Sequence, residues 1–186
     1  MSELYSSIRD EQERMHAYIT SAFPGYRLEL DRNGESILWI QSAAELLSVV
    51  ERVRRDSELS MDRLSDITAY DNIDKVDGPQ RFVMVYQLYS MSAHTRLRLK
   101  LLVDEDMKVP SLTGFWKGAN WLEREVFDLF GVSFANHPDL RRILMDERFV
   151  GHPLRKEYDL EDRQPFPDSL PVRIAKQGRL EDPNDE

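Results

Sequence analysis

The chain has 186 residues, 41% hydrophobic content and a formal net charge of −9 at pH 7, which is typical of one folded domain with a sizeable core. It contains no cysteine, which excludes disulfides, thiol catalysis, iron–sulfur ligation and cysteine-based zinc sites, and its acidic balance argues against nonspecific binding to nucleic acid or anionic lipid. No apolar run approaches the roughly 20 residues of a membrane-spanning helix, and the polar N-terminus predicts no targeting segment.

The first two predicted elements are a helix and a hairpin. Apolar residues recur at helical spacing and predict a helix over about residues 3–22, which a Pro-Gly pair at 24–25 ends. Asn33-Gly34 then lies between two short runs that are compatible with strands. Asn-Gly in that position is a strong sign of a two-stranded hairpin.

A second helix and three strands follow. Ser42, with Glu45 three residues later, predicts a capping box at the start of a helix that ends near Arg55. The runs MDRLSDITAYD, RFVMVYQLYS and TRLRLKLLVD are interpreted as strands, and the last alternates leucine with basic residues, so its apolar side chains share one face. This order of elements predicts an α+β domain with one mixed or antiparallel sheet and helices over one face.

Beyond the last of these strands, the chain carries one short helix and a long irregular segment. Asn120 with Glu123 predicts another capping box, and Gly131 stands where a C′ glycine would end the helix. Six of the nine prolines fall after that point, where periodicity is weak. We therefore expect an α+β domain over residues 1–136 and an irregular, proline-rich tail over residues 137–186 that either hangs free or lies on another surface.

The short helix, in the stretch WLEREVFDLF, places one carboxylate on its apolar side. On a helical wheel Glu123 falls among the apolar positions, where a charge is costly unless it is paired or hydrogen-bonded. Arg141 and Arg142 are the nearest cationic candidates in sequence. The capping-box role would satisfy the same carboxylate in part.

Three uses remain open for Arg124, Glu125 and Asp128, which share the other side of the wheel. Acid–base catalysis by the two carboxylates requires a pocket around both. A metal site lacks the expected Glu-x-x-His spacing, because His137 and His152 lie outside the helix and each precedes a proline. The simplest use is an i,i+4 ion pair between Arg124 and Asp128 on a solvated or interface face. Aromatic side chains on both sides of the helix favour a protein–protein interface.

The stretch from Glu123 to Leu144, EREVFDLFGVSFANHPDLRRIL, resembles the signature of a known family, the thirty-kilodalton (C) subunit of proton-pumping NADH:quinone oxidoreductase, respiratory complex I. The resemblance extends forward into GHPLRKEYDL and backward through the three predicted strands, over about residues 64–160. Asp159 departs from it, because the family commonly has proline there. The signature and interface positions of the family fall on Glu123, Arg124, Glu125, Asp128, Gly131, His137, Pro138, Arg141, Arg142, Arg155 and Lys156.

This resemblance implies a non-catalytic structural and assembly subunit. Such a protein belongs to the peripheral arm on the cytoplasmic face of the bacterial inner membrane and reaches the membrane only through the complex. It packs on the forty-nine-kilodalton (D) subunit and on other peripheral-arm subunits, near the quinone site. The resemblance implies no catalytic, cofactor-binding or metal-binding residue in this chain, because FMN and the iron–sulfur clusters are held by partner subunits.

Three alternatives to this function remain, the last of them a generic soluble adaptor outside any respiratory chain. The first is a homologous subunit of an energy-converting hydrogenase or of an F420H2- or ferredoxin-using complex. The second is a free-standing carboxylate-dependent enzyme, which would use Glu125 and Asp128 in a concave pocket.

Overall fold

A computed structural model describes the backbone of residues 2–158 and the side chains of residues 10–158. The helices are α1 (Ser2–Ala22), α2 (Leu46–Arg55, preceded by a 3-10 turn at 43–45) and α3 (Ala119–Phe130). The strands are β1 (Leu28–Leu30), β2 (Ser36–Ile40), β3 (Arg63–Asp71), β4 (Phe82–Tyr89), β5 (Arg96–Val103), β6 (Lys108–Pro110) and β7 (Ser133–Ala135). Within the described residues, no helix is both long and apolar enough to span a membrane.

Five of the strands form one mixed sheet in the order β1-β2-β5-β4-β3. The pairing of β2 with β5 is parallel, and the other three pairings are antiparallel. The two short strands β6 and β7, which the sequence pattern did not predict, pair in parallel on either side of α3 in the chain. The α+β class, the mixed sheet and the three helices are confirmed.

The helices cover one face of the sheet, as predicted. Leu97, Leu99 and Leu101 on β5 are fully buried and face the helical layer. They join one cluster with buried residues of the three helices, namely Met15, Ile19, Val49, Val50, Val53, Val126 and Phe130. Burial of this continuous apolar surface is the main stabilising term of the domain.

The opposite face of the sheet carries charged side chains that are already paired. The Trp39 ring lies between the guanidinium of Arg27, 4.4 Å from the ring centroid, and the ammonium of Lys100, at 4.8 Å. Arg98 is 3.3 Å from a carboxylate oxygen of Glu35. Arg98 and Lys100 of β5 are therefore engaged in contacts on this face, the first with a carboxylate and the second with an aromatic ring.

Two local predictions concern the hairpin and the start of the second helix, and the first is confirmed whereas the second is wrong. The Asn33-Gly34 hairpin is present, with Gly34 in the left-handed region at φ 79°. The capping box of Ser42 and Glu45 is wrong, because Ser42 makes no side-chain cap hydrogen bond and Glu45 instead accepts one from the Tyr26 hydroxyl at 2.9 Å.

Candidate protein-interaction site

The charged helix α3 ends as predicted but begins differently. Gly131 has φ 79° and its N–H donates to the carbonyl of Phe127 at 2.9 Å, so the predicted C′ glycine is confirmed. The predicted capping box of Asn120 with Glu123 is wrong. The helix starts at Ala119, one residue before Asn120, and no side chain caps it.

Glu123 is buried on the sheet side of α3, as the helical wheel indicated, but its partners precede the helix. Its two carboxylate oxygens accept from the Ser111 hydroxyl and the Leu112 N–H, each at 2.6 Å. Burial raises the pKa of this carboxyl to about 7, although both hydrogen bonds oppose the shift. The prediction that Arg141 or Arg142 pairs with Glu123 is wrong, because both arginines interact with groups elsewhere.

His137 connects the start of α3 to the chain that follows β7. Its Nδ1 accepts from the Asp139 N–H at 3.1 Å, so its Nε2 carries the proton and donates to the Asn120 carbonyl at 3.2 Å. The same Nε2 lies 3.8 Å from a Glu123 oxygen. His137 therefore fixes the beginning of the irregular segment against the first turn of the helix.

Residues 137–158, which we call the strap, contain no helix and no strand but lie along α3 from its start to its end. The Arg124 guanidinium holds the first part of the strap by donating to the carbonyl oxygens of Arg141 at 3.1 Å and Arg142 at 3.2 Å. The described part of the predicted irregular segment, residues 137–158, thus lies against the preceding helix of its own chain. Residues 159–186, including Asp159, lie outside the described residues.

Asp128 holds the middle of the strap. One of its oxygens accepts from three consecutive backbone N–H groups, those of Ile143, Leu144 and Met145, at 3.0, 2.7 and 2.8 Å. The other oxygen accepts from Arg142 at 3.1 Å. Burial by itself raises the pKa of this carboxyl, but the three N–H donors and Arg142 outweigh it and hold the pKa below its ordinary value.

The prediction of an Arg124–Asp128 ion pair on a solvated or interface face is therefore wrong. Both side chains are buried, at 7% and 0% exposure, because the strap covers this side of the helix and supplies their partners. Glu125 remains exposed to solvent. Glu125 is exposed whereas Asp128 is buried under the strap, so the two carboxylates do not face one common site. The described residues contain no cluster of three metal-ligating side chains.

The end of the strap closes the last turn of α3. The carbonyl oxygens of residues 128–130 accept from His152 Nδ1 at 2.9 Å, the Leu154 N–H at 3.1 Å and Arg155 Nε at 2.8 Å. A helix leaves its last carbonyl groups without partners inside the helix, so these three contacts satisfy them. Burial lowers the pKa of His152, which favours the neutral ring.

The strap then reaches the sheet. The Lys156 N–H donates to the Asp71 carboxylate at 2.8 Å, and the Lys156 ammonium lies 2.6 Å from Asp74. Arg81 pairs with Asp71 at 2.9 Å and also with Glu157. Sequence reasoning missed Asp71 and Arg81 as members of this site, since both precede the strap by a long stretch of chain and no local pattern connects positions so distant.

Apolar side chains on the outer side of this assembly remain exposed. Trp121 is 60% exposed and lies under the Arg124 guanidinium, 5.0 Å from its ring centroid. Leu144, Val150 and Leu154 on the strap are also more than half exposed. These four side chains, which we call the strap surface, are one aromatic and three aliphatic groups on α3 and the strap, and exposed aromatic and apolar side chains favour a protein–protein interface.

The predicted signature residues thus separate into two groups. Glu123, Arg124, Asp128, Gly131 and His137 shape α3 and the strap from inside. The remaining ones, which lie in or beside the strap and are at least partly accessible, are Glu125, Pro138, Arg141, Arg142, Arg155 and Lys156.

The chain resembles several proteins of known classification. It is 43% identical over 145 residues to the C subunit of NADH-quinone oxidoreductase from Paramagnetospirillum magneticum, covering 77% of this chain and 71% of that protein. It is 53% identical over 105 residues to the same protein of Geobacter sulfurreducens, covering 55% and 64%. A mitochondrial NADH-ubiquinone oxidoreductase 30.4 kDa subunit of Neurospora crassa is 38% identical over 159 residues, covering 86% and 55%. The matches thus span between 55% and 71% of the lengths of these three relatives.

The fold also recurs in a chain of the membrane-bound sulfane sulfur reductase, an archaeal respiratory membrane complex, with a TM-score of 0.66 and 21% identity over 94% of this chain and 95% of that one. At that identity the likeness concerns the fold alone. Residues 39–164 match the family described as the 30 Kd subunit of respiratory-chain NADH dehydrogenase. This matched range includes all of α3 and the strap, and the chain therefore belongs to that family of complex I subunits.

Proposed function

We propose that the chain is a non-catalytic assembly subunit of the peripheral arm of a proton-pumping NADH:quinone oxidoreductase. In this proposal, electrons pass from NADH through FMN and iron–sulfur clusters in other subunits to quinone, and this chain holds none of those groups. The chain docks on the D subunit, near the quinone site, and contacts other peripheral-arm subunits. It lies on the cytoplasmic face of the bacterial inner membrane and reaches the bilayer only through the complex.

The observation that carries the proposal is the strap surface. An irregular segment is held along a helix by hydrogen bonds to the buried Asp128 carboxylate, and yet it turns Leu144, Val150 and Leu154 toward solvent. Large apolar side chains in such a position favour burial against another protein. Asp128 faces inward and is saturated by groups of its own chain, which supports assembly over chemistry as the role of the helix.

The exposed members of the family signature are proposed to touch the partner directly. Arg141 is paired with Asp139 at 3.0 Å, but its side chain remains 68% exposed. Glu125 is also exposed on the helix beside it. Charged groups at the rim of an apolar patch mainly set the orientation and rate of docking.

The decisive experiment replaces two apolar side chains of the strap surface. Leu144→Asp combined with Leu154→Asp is expected to lower recovery of a co-expressed, affinity-tagged homologue of the D subunit by at least about tenfold, because each substitution places a charge in an apolar contact. The melting temperature of the isolated chain should change little, since both side chains are exposed.

The matched control is Leu30→Asp combined with Met91→Asp. These residues are exposed to a similar degree, at 52% and 51%, but lie outside α3 and the strap. The control should recover the tagged partner normally. Docking through the strap surface would be refuted if the Leu144→Asp/Leu154→Asp variant recovered as much tagged partner as the control variant does.

Replacement of Arg141 tests the charged rim. Arg141→Ala should weaken recovery of the tagged partner by about fivefold, which corresponds to roughly 1 kcal/mol for an accessible charged contact. Arg14→Ala is the control, because Arg14 is similarly exposed on α1 and also pairs with a nearby carboxylate. A loss shared by both variants would show a general charge effect and would contradict a specific role for Arg141.

A further inference from the structure

We infer that Asp128 is the positioning residue that sets the strap into its docking shape before any partner arrives. The identity of the docking partner rests on the proposed function, but the order of the strap is a property of the isolated chain. The strap is preorganised by a buried carboxylate and does not acquire its shape on binding.

Backbone N–H groups of the strap form an anion-binding site, and the carboxylate of Asp128 occupies it. Three successive backbone N–H groups, at 143–145, converge on one carboxylate oxygen within 3.0 Å. Successive N–H groups that point inward form a concave nest, an arrangement that proteins use to bind anions. Here the Asp128 side chain occupies that nest at 0% exposure, so solvent cannot easily replace it.

The middle of the strap depends on this contact more than its ends do. The start is held by His137 and Arg124, and the end by contacts of residues 152–156 with α3 and the sheet. Between these two ends, the strap is hydrogen-bonded to α3 through the Asp128 carboxylate. Leu144, an exposed member of the strap surface, is bound to Asp128 through its own N–H at 2.7 Å.

Arg142 extends the effect of Asp128 across the loop. Its guanidinium pairs with Asp128 at 3.1 Å, donates to the Gly151 carbonyl at 3.0 Å and lies 5.9 Å from the Phe149 ring centroid. One carboxylate thus fixes residues 143–145 directly and residues 149–151 through Arg142. Val150, which is 75% exposed, lies in the second group.

Preorganisation has a measurable consequence for docking. A surface that is already ordered loses less conformational freedom on association, whereas a loose segment must order as it binds. Removal of Asp128 should therefore convert docking of a formed surface into coupled folding and binding, which is slower to reach a productive complex and has a more negative heat capacity change.

The test begins with amide hydrogen exchange in the isolated full chain. Asp128→Ala should accelerate exchange at 143–151 by at least about tenfold while the amides of β4 and β5 keep their wild-type rates, because the opening is local. Asp128→Asn should be intermediate. Its amide oxygen can still accept from the three N–H groups, but its amino group faces the Arg142 guanidinium and repels it.

Glu147→Gln is the control for loss of charge on the strap, since Glu147 is exposed and shares the same segment. It should leave exchange unchanged. Wild-type exchange at 143–151 as fast as that of an unstructured peptide would overturn the inference, and so would an Asp128→Asn strap as protected as wild type. If Asp128→Ala prevents folding, the Asp128→Asn comparison carries the test.

Binding to a purified homologue of the D subunit supplies the second readout. For Asp128→Asn, the association rate should fall by roughly five- to tenfold and the heat capacity change of binding should become more negative. For Glu147→Gln, both quantities should stay at their wild-type values. A loosened strap with unchanged binding would refute docking through the strap and leave the positioning role of Asp128 intact. Slower binding with an unchanged strap would overturn that role instead.

Discussion

Glu123→Gln is expected to make the protein more stable than the wild type at pH 8 and to leave it little changed at pH 4.5. Burial raises the pKa of Glu123 from 4.5 to about 7, so the folded state holds this proton more tightly than the unfolded state. The stabilisation from this group is present below pH 4.5 and is lost as the pH rises through 7. A shift of that size corresponds to about 3 kcal/mol at 1.36 kcal/mol per pH unit.

Glutamine suits the site because both contacts can remain hydrogen-bonded, the one to Ser111 with its direction reversed. Its carbonyl oxygen can accept from the Leu112 N–H, and its amino group can donate to the Ser111 hydroxyl, which can turn toward Thr113 at 2.8 Å. The Tm of the variant should exceed that of the wild type by roughly 5–10 °C at pH 8. Urea unfolding at several pH values, compared between the two proteins, isolates this group from the other carboxylates.

Glu123→Ala is the companion variant and should be less stable than the wild type at pH 4.5. It removes both hydrogen bonds and leaves the buried Leu112 N–H without its acceptor, so it should lose roughly 2–4 kcal/mol at that pH. The deficit should shrink at pH 8, because the wild type has lost the stabilisation from its own protonated Glu123 there. A stability difference between Glu123→Gln and wild type that is the same at pH 5 and pH 8 would contradict the raised pKa of the buried carboxyl.

Gly131→Ala is expected to destabilise the protein by roughly 3 kcal/mol or more, for two separable reasons. The residue has φ 79°, where an L side chain is strained by about 1–2 kcal/mol. An added methyl group would also lie 2.6 Å from the His152 ring and from Arg155 Nη2, so the end of the strap would have to move. Both residues close the last turn of α3.

Gly25→Ala separates the two contributions. Gly25 has φ 86°, but nothing lies within 4 Å of the position of an added methyl group. It should therefore show the backbone strain alone. Denaturant unfolding of both variants measures the difference, and an equal loss would mean that the strap yields at His152 without cost.

The elements that were predictable from the sequence are those specified by short-range patterns. Period 3.6 in the first helix, period 2 in β5, the Asn33-Gly34 pair and the glycine at 131 each describe a local backbone conformation, and each is confirmed. The residues that carry the family resemblance lie in α3 and the strap, where many side chains make specific polar contacts. The prediction that Glu123 lies on the apolar side of α3 is also confirmed.

The wrong predictions have one physical cause, because in each case a polar side chain forms hydrogen bonds with partners that are distant in sequence. Both predicted capping boxes failed because Glu45 bonds to Tyr26 and Glu123 bonds to Ser111 and Leu112. The helical wheel predicts Asp128 on a solvated or interface face, because an irregular segment has no periodicity that would reveal that it covers the helix. Hydrogen bonds between a side chain and the backbone leave no such pattern in a sequence.

The position of the strap directly after the helix that it covers bears on the order of folding. Contacts of Arg124 with the strap span 17 and 18 residues, and that of Arg155 with Phe130 spans 25, whereas Lys156 meets Asp71 across 85. Closing short loops costs less chain entropy than closing long ones. We therefore expect helix and strap to come together as a unit of low contact order, and its attachment to Asp71 to wait until the sheet is complete.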